Sequence, residues 1–366
     1  MNGLADYIDD EALKGISARI VAGGRITPPE GLLLYERAGL PLLGMLAGRV
    51  RRRFNGNSAF FNRNFHIEPT NLCIHNCLFC SYHKSAGDPG SWDYGHDEIL
   101  EALRRFDEKE VTEVHITGGV HPSHDLDFYC KMVRMIKQHR PSLHVKAFSA
   151  IEIDHMISRE GLTMEEGLRR LAGNGVDSIP GGGAEIFDEE LREKICPGKT
   201  SSGRWLEIHE TAHNLGIKSN ATMLYGHIES YSHRIDHMER LRKLQDRTSG
   251  FNAFIPLRFR NSNNCMEHLG EVGVTEDLRN YAVARLFLDN IPHIKAYWPM
   301  TGREVAQLAL SFGADDLDGT IGDTTKIYSM AGAGDQNPVI SVEEITRLIS
   351  EAGYQAVERD SAYNPI

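Results

Sequence analysis

The sequence predicts a (β/α)₈ barrel of the TIM type with helical extensions at both ends. Length is the first observation: 366 residues amount to about two ordinary domains or one large α/β barrel. The second is rhythm, since eight short β-like runs alternate with amphipathic helices from residue 64 onward, and such a barrel takes roughly 250 residues. The third is that residues able to do chemistry collect just past the ends of those runs, where barrel active sites form.

The elements follow in order. Residues 3 to 50 read as two or three helices: EALKGISARIVAGG has apolar residues at helical spacing and ends in Gly23-Gly24, and PPEGLLLYERAGLPLLGMLAGRVRRRF follows. From there come NFHIEP, a helix near 97–108, TEVHITGG, a helix near 125–139, LHVKAFSA and a helix near 164–174. Next are VDSIPGGG, a helix near 202–215, IKSNATMLYG, a helix near 231–248, FNAFIPLRF and a helix near 275–290. IKAYWPM, a helix near 302–311 and GADDLDGT complete the set. A loop with Gly332, Gly334 and Pro338 leads to SVEEITRLISEAG, where Ser341 and Glu344 have capping-box spacing before a terminal helix. The expected division is 1–63 helical extension, 64–320 barrel and 321–366 loop and helix. A doubly wound open sheet is the alternative, because alternation does not show closure.

Hydrophobic residues make up 41% and charged residues 25%, which fits a globular core and argues against wholesale disorder. The formal charge of −11 makes nucleic acid a poor partner. The basic run Arg49, Arg51, Arg52 and Arg53 is expected to be a solvated helix end. With no basic-then-apolar leader and no apolar stretch of roughly 18 residues, the protein is expected to be soluble and cytoplasmic, with no membrane partner. In that reducing compartment clustered thiols point to metal or catalysis.

Three of the six cysteines are clustered: EPTNLCIHNCLFCSYH spaces Cys73, Cys77 and Cys80 as C-x₃-C-x₂-C just after the first strand candidate. Structural zinc and fully ligated iron–sulfur sites take four ligands. Cys130, Cys196 and Cys265 fall in separate elements and are expected to be core or surface thiols. His75 or His83 would complete a zinc site; the other reading is a four-iron cluster with one iron left open to a small ligand.

This loop, with the aromatic Phe79 before its last cysteine and Thr117-Gly118-Gly119 after the second strand candidate, resembles the radical S-adenosylmethionine (SAM) superfamily. The resemblance implies a [4Fe-4S] cluster on Cys73, Cys77 and Cys80, and SAM bound through its methionine half to the open iron. It also implies a glycine pair meeting the SAM amino group. Glycine suits a backbone approached so closely. Tyr82, Ser149 and Glu185 are the further candidates for the SAM side of the site.

ITGGVHP, KAFSAIEID, SIPGGGAEIFDEELREKICPGK, SNATMLYGHIE, HRIDHMERLRKLQD, PHIKAYWPM and LSFGADDLDGT are similar to the aminofutalosine synthases of the futalosine route to menaquinone. That likeness implies addition of the 5′-deoxyadenosyl radical to 3-[(1-carboxyvinyl)oxy]benzoate, aryl migration and loss of carbon dioxide, giving 6-amino-6-deoxyfutalosine. It also implies an electron donor such as flavodoxin or ferredoxin. A sister enzyme such as a dehypoxanthine futalosine cyclase is the alternative. An aromatic dicarboxylate needs cations or donors in a closed cavity. Strand parity offers His66 with Glu68, Arg258 with Arg260, and Asp316 with Asp318, of which Asp318 is the substrate candidate; Asn220 and His227 flank another strand end. For each the competing reading is a satisfied structural polar group.

The run His209-Glu210-Thr211-Ala212-His213 matches the H-E-x-x-H of zinc proteases. It is expected to be coincidental, lying on a barrel helix with no third ligand in view. A binding or electron-transfer protein is the competing class, and three local cysteines argue against it, because an electron carrier gains from full ligation.

Overall fold

The computed structural model describes residues 8–319, 326–334 and 338–366. Ten strands, β1 (Ser58–Phe61), β2 (Asn64–Ile67), β3 (Glu113–Ile116), β4 (His144–Ala147), β5 (Ser178–Ile179), β6 (Lys218–Tyr225), β7 (Phe251–Arg258), β8 (His293–Ala296), β9 (Asp316–Leu317) and β10 (Gln355–Glu358), form one sheet. The order is β10-β1-β9-β8-β7-β6-β5-β4-β3-β2, and all neighbours are parallel. Strands β2 to β9 are the eight that the alternation predicts.

The sheet curls until its first strand meets its last. β1 and β2 are two halves of one segment: Phe60 and Phe61 pair with Asp316 and Leu317 of β9, whereas Asn64 to Ile67 pair with β3. Chain continuity through Asn62 and Arg63 therefore bridges the ladder. At this seam a Cβ on Gly319 would lie 1.5 Å from the Asn62 carbonyl, so only glycine allows the approach. Both extensions add to the sheet: β1 precedes the predicted first strand, and β10 pairs along β1 from Ser58↔Gln355 to Phe61↔Glu358.

Helices lie between successive strands, most within a few residues of their predicted places: His96–Arg104, Leu126–His139, Met164–Gly173, Ser202–Asn214, Tyr231–Thr248, Val274–Phe287 and Arg303–Ala309. Four were not foreseen: Ala150–Arg159, Glu189–Ile195 and the four-residue Trp298–Thr301 and Ile327–Met330. The N-terminal segment forms Glu11–Ala22, Pro28–Arg37 and Leu40–Asn55. In the basic run at the end of the last, Arg52 and Arg53 are exposed, as expected, whereas Arg51 is not. Arg51 is fully buried, donating to the carbonyls of Ala314 (2.8 Å) and Ser58 (2.6 Å) with its guanidinium 3.9 Å from the Tyr354 ring centroid. It anchors the helical preface to the sheet, because a buried guanidinium must spend its donors on acceptors. The terminal helix Val342–Glu351 starts at Ser341, whose hydroxyl accepts the Glu344 N–H at 3.1 Å. No helix among the described residues is long and apolar enough to cross a membrane.

The bottom of the curl is closed by charge. Arg359, just past β10, grips Asp316 through Nε (3.0 Å) and Nη2 (2.7 Å), and Tyr363 donates to the same carboxylate at 2.9 Å. Asp316 is thus structural. Lys295 of β8 lies 3.5 Å from Asp316 and 3.1 Å from Asp318.

Candidate active site

A cavity of about 290 Å³ opens among the C-terminal ends of the strands. Its rim is built by the loop after β2. Cys73, Cys77 and Cys80 all line it, and the loop is held by its neighbours: Cys73 Sγ accepts the N–H groups of His75 (3.4 Å) and Val120 (3.3 Å), while the Leu78 N–H donates to the Ile195 carbonyl at 2.8 Å. Burial pushes the Cys73 thiol up and Cys80 up to about 11. Cys77 is held below its ordinary value, first by a hydrogen bond from the Cys196 thiol, which is itself pushed up. Cys196 does sit in the core, as expected, but against a cluster cysteine; the sequence spacing carries no trace of that contact.

Three thiols facing one cavity fit a cluster that would be held by three protein ligands. Among the other cysteines, Cys130 is buried on the helix Leu126–His139 and Cys265 is exposed. Neither lines the cavity.

Thr117, Gly118 and Gly119 line the cavity beside the cysteines. A Cβ on Gly119 would stand 2.2 Å from the Leu72 carbonyl oxygen, so the glycine pair lets two backbones pack rather than serving ligand approach alone. Glu152, which sequence reasoning missed, organises this corner. Its carboxylate accepts Ser149 N–H (2.8 Å), Ser149 Oγ–H (2.5 Å), Thr117 Oγ1–H (3.1 Å) and Gly118 N–H (3.2 Å). Burial pushes it up to about 7 against those donors. The signal was present as Ser149-x-x-Glu152, the capping box of the unforeseen helix Ala150–Arg159.

Glu185 lines the cavity at φ +48° and holds Lys199 Nζ at 2.6 Å. Burial alone would depress the Lys199 ammonium, but Cys77 and Glu185 outweigh it and hold it above its ordinary value. Lys199 also stands 5.5 Å from the Phe79 ring centroid. Tyr82 lines the same wall and donates to the Thr70 carbonyl at 3.0 Å.

Of the candidates for the substrate side, Asn220, Arg258, Arg260 and Asp318 line the cavity. The arginines share Glu271, at 3.0 Å from Arg258 and 3.2 Å from Arg260, and Arg258 also meets Asp277 at 3.2 Å. The Nε atoms of both are buried without a hydrogen-bond partner among the described residues.

Three candidates, His66, Glu68 and His227, are not among the residues that line the cavity. Glu68 turns to the segment 326–334 and accepts the N–H groups of Lys326 (3.0 Å) and Ile327 (3.4 Å). His227 is buried, with Nε2 on the Leu224 carbonyl (3.2 Å) and Nδ1 3.3 Å from Glu229. His66 packs behind His115, ring centroids 4.7 Å apart. His115 itself, with Glu113, Lys146 and Lys295, was missed, although strand parity puts Glu113, His115 and Thr117 on one face.

Two metal-like groupings are held by internal hydrogen bonds, although His209 Nε2 and His124 Nδ1 are buried without a partner among the described residues. His209 Nδ1 and His213 Nε2 both meet Ser219 Oγ, at 2.8 and 2.7 Å, while Glu210 points outward to Arg247 at 2.9 Å; the H-E-x-x-H run is structural, as expected. Asp93, His121 and His124 bring ligand-type atoms within 4.8 Å of one another. His121 Nδ1, however, accepts the N–H groups of Ser123 and His124 at 3.0 Å each. Its proton is therefore on Nε2, facing Asp93 at 3.2 Å, and the group is a hydrogen-bonded cluster.

Residues 67–241 match the radical SAM superfamily and residues 248–366 match the CofH/MqnC C-terminal region. An aminodeoxyfutalosine synthase of Thermus thermophilus is 43% identical, covering 98% of this chain and 97% of its own. A cyclic dehypoxanthine futalosine synthase of Streptomyces coelicolor is 39% identical, covering 96% and 88%. The crystal structure of methylornithine synthase (PylB) matches with a TM-score of 0.74 at 17% identity, covering 93% of this chain and 97% of that one, which speaks for the fold. Members of the superfamily use a four-iron cluster and SAM, and the three cavity-facing cysteines are the residues to hold it. The chain belongs to the radical SAM superfamily, in the branch that carries the CofH/MqnC C-terminal region.

Proposed function

We propose that this enzyme joins the 5′-deoxyadenosyl group of SAM to 3-[(1-carboxyvinyl)oxy]benzoate, forming 6-amino-6-deoxyfutalosine and methionine with loss of carbon dioxide. One observation carries the reading: the likeness to an aminodeoxyfutalosine synthase runs over 98% of the chain at 43% identity. When bound, the cluster supplies the electron that cleaves SAM to the adenosyl radical.

In this reading Cys73, Cys77 and Cys80 hold the cluster. Gly118 and Gly119 present backbone to the methionine end of SAM, in a loop that Glu152 fixes through Thr117 and Gly118. Phe79, Tyr82, Ser149, Glu185 and Lys199 form the remaining SAM wall. Arg258 and Arg260 face the substrate from β7, where their unpartnered Nε atoms suit an incoming carboxylate. Asn220 and Asp318 complete the polar lining. A small flavodoxin or ferredoxin is the proposed electron donor, delivering from outside to the cysteine loop.

The sister reading, a cyclase acting on dehypoxanthine futalosine, draws on the 39% identical relative. The test is anaerobic: reconstitute the cluster, add dithionite, SAM and the enol ether, and analyse products by mass spectrometry. Aminodeoxyfutalosine with methionine is expected. Methionine with only 5′-deoxyadenosine would overturn the synthase reading in favour of a sister substrate.

A further inference from the structure

We propose that His115 binds, through a hydrogen bond, the carboxylate of the substrate's vinyl end, the one that leaves as carbon dioxide. This inference rests on the functional reading above and names the group that reads one end of that substrate.

His115 lines the cavity, and its Nε2 is buried with no hydrogen-bond partner among the described residues. A buried ring nitrogen without a partner costs free energy unless a ligand satisfies it. The charged groups near it are already matched. Lys146 Nζ lies 2.7 Å from Glu113, and Lys295 faces Asp316 and Asp318. Burial, reinforced by His66 and Lys146, holds the His115 imidazole well below its ordinary value, so the ring is neutral and offers one N–H.

Position decides which end of the substrate it meets. His115 and Thr117 are two residues apart on one strand face, roughly 7 Å along β3, so His115 lies directly below the glycine pair. The vinyl CH₂ that the adenosyl carbon attacks must lie against SAM, and the carbon bearing the leaving carboxylate is bonded to it. With SAM set against the glycine pair, as in the functional reading, we assign that carboxylate to the β3 side. Arg258 and Arg260 belong to the far wall, since β7 is four strands from β3 in the sheet order.

The two ends then have donors suited to their fates. The ring carboxylate survives into the product, and a guanidinium can hold it throughout. The vinyl carboxylate loses its charge when its C–C bond breaks: the adjacent carbon becomes the product ketone, carbon dioxide departs, and the one electron released returns to the centre that supplied it. A cation there would stabilise the charge that must vanish and so raise the barrier. A neutral imidazole orients the group without that penalty.

The experiment compares reconstituted wild type with His115→Phe and His115→Gln, using equilibrium dialysis without reductant so that nothing turns over. The full dicarboxylate should bind His115→Phe about 10- to 100-fold more weakly, the loss of one hydrogen bond to a carboxylate. His115→Gln, which keeps an N–H, should recover most of it. The probe 3-(vinyloxy)benzoate, lacking the vinyl carboxylate, should bind all three alike. His115→Ala serves the same comparison should the phenylalanine variant misfold. Wild-type turnover with unaltered affinity in these variants, or equal loss for both ligands, overturns the assignment alone. A wild-type enzyme that neither binds nor converts the dicarboxylate overturns the functional reading and this assignment with it.

Discussion

Gly119→Ala should strip the enzyme of iron while leaving it folded. The added Cβ would stand 2.2 Å from the Leu72 oxygen, 2.7 Å from its carbonyl carbon and 3.0 Å from the Asn71 carbonyl carbon. All three are backbone atoms that no rotamer can move. Restoring an ordinary contact requires segment 71–73 and the glycine loop to part by about 1 Å. The hydrogen bonds across that gap are Gly119 N–H to Thr70 (2.8 Å), Ile74 N–H to Val120 (3.0 Å) and Val120 N–H to Cys73 Sγ (3.3 Å). Losing part of each, at about 1 kcal/mol apiece, together with the residual strain of overpacking, comes to about 3 kcal/mol. For a chain of this length that lowers Tm by about 4 °C. Cys73 would move with its segment, and metal sites tolerate only about 0.2 Å in ligand distance. Iron and sulfide per chain after anaerobic reconstitution, with Tm of the apoprotein, are the measurements. Gly182→Ala is the control, because its Cβ meets only the Ser149 Cβ at 3.4 Å. Wild-type iron content in Gly119→Ala would refute the reasoning.

Glu210→Gln should leave iron content and turnover intact and cost no more than about 1 kcal/mol, since it removes only an exposed pair with Arg247; lost turnover with iron retained would reopen the protease-like motif. Lys199→Met leaves Glu185 buried without its ammonium and should destabilise the apoprotein by about 3 kcal/mol or more, read by urea unfolding; an unchanged midpoint would show that the pair contributes nothing. Glu152 has a folded-state value of about 7 against an ordinary 4.5, so the folded protein binds its proton more tightly. Its stabilising contribution is therefore full below pH about 4.5 and is lost as pH rises through 7, by up to about 3 kcal/mol. The stability advantage of wild type over Glu152→Gln should accordingly shrink between pH 5 and pH 8, and a pH-independent difference would contradict it.

Periodicity revealed β2 to β9 because at least one helix of seven or more residues separates each from the next, from His96–Arg104 to Arg303–Ala309. It missed β1, whose four residues begin just after Gly56 closes a 16-residue helix, and β10, whose residues are at least partly exposed. Such segments are strands only because another strand lies alongside. The helix Ala150–Arg159 begins at the last residue of the strand candidate LHVKAFSA, with its N-cap Ser149 inside that run. Parity assigned faces well, but a face is not a depth. Glu68 follows β2 on the inward side, yet it meets Lys326 and Ile327, 258 and 259 residues away, a contact that no local pattern encodes. The Cys77–Cys196 contact was invisible for the same reason, whereas His115 was legible and passed over, because a lone histidine in a strand has no spacing to announce it.

The two short motifs in this chain show why placement outranks spelling. His209 and His213 share a helix face by their i, i+4 spacing, but spacing does not say where that face points. Here Trp205, Ile208 and Ala212 lie buried on the same helix, so the histidines face the sheet, where Ser219 satisfies a nitrogen of each and leaves the face closed. Glu210 necessarily falls on the outer side and finds Arg247. The three cysteines, by contrast, sit in a loop that must emerge at the C-terminal end of β2, because a parallel strand delivers its following loop to that end of the barrel. Topology thus aims the thiols at the cavity before any side-chain detail is known, while the same topology turns the histidine pair into the wall. An identical H-E-x-x-H on a helix whose open face lined a cavity would present its two histidines to a metal, and a C-x₃-C-x₂-C moved to the helix Ser202–Asn214 would lose its place at the cavity.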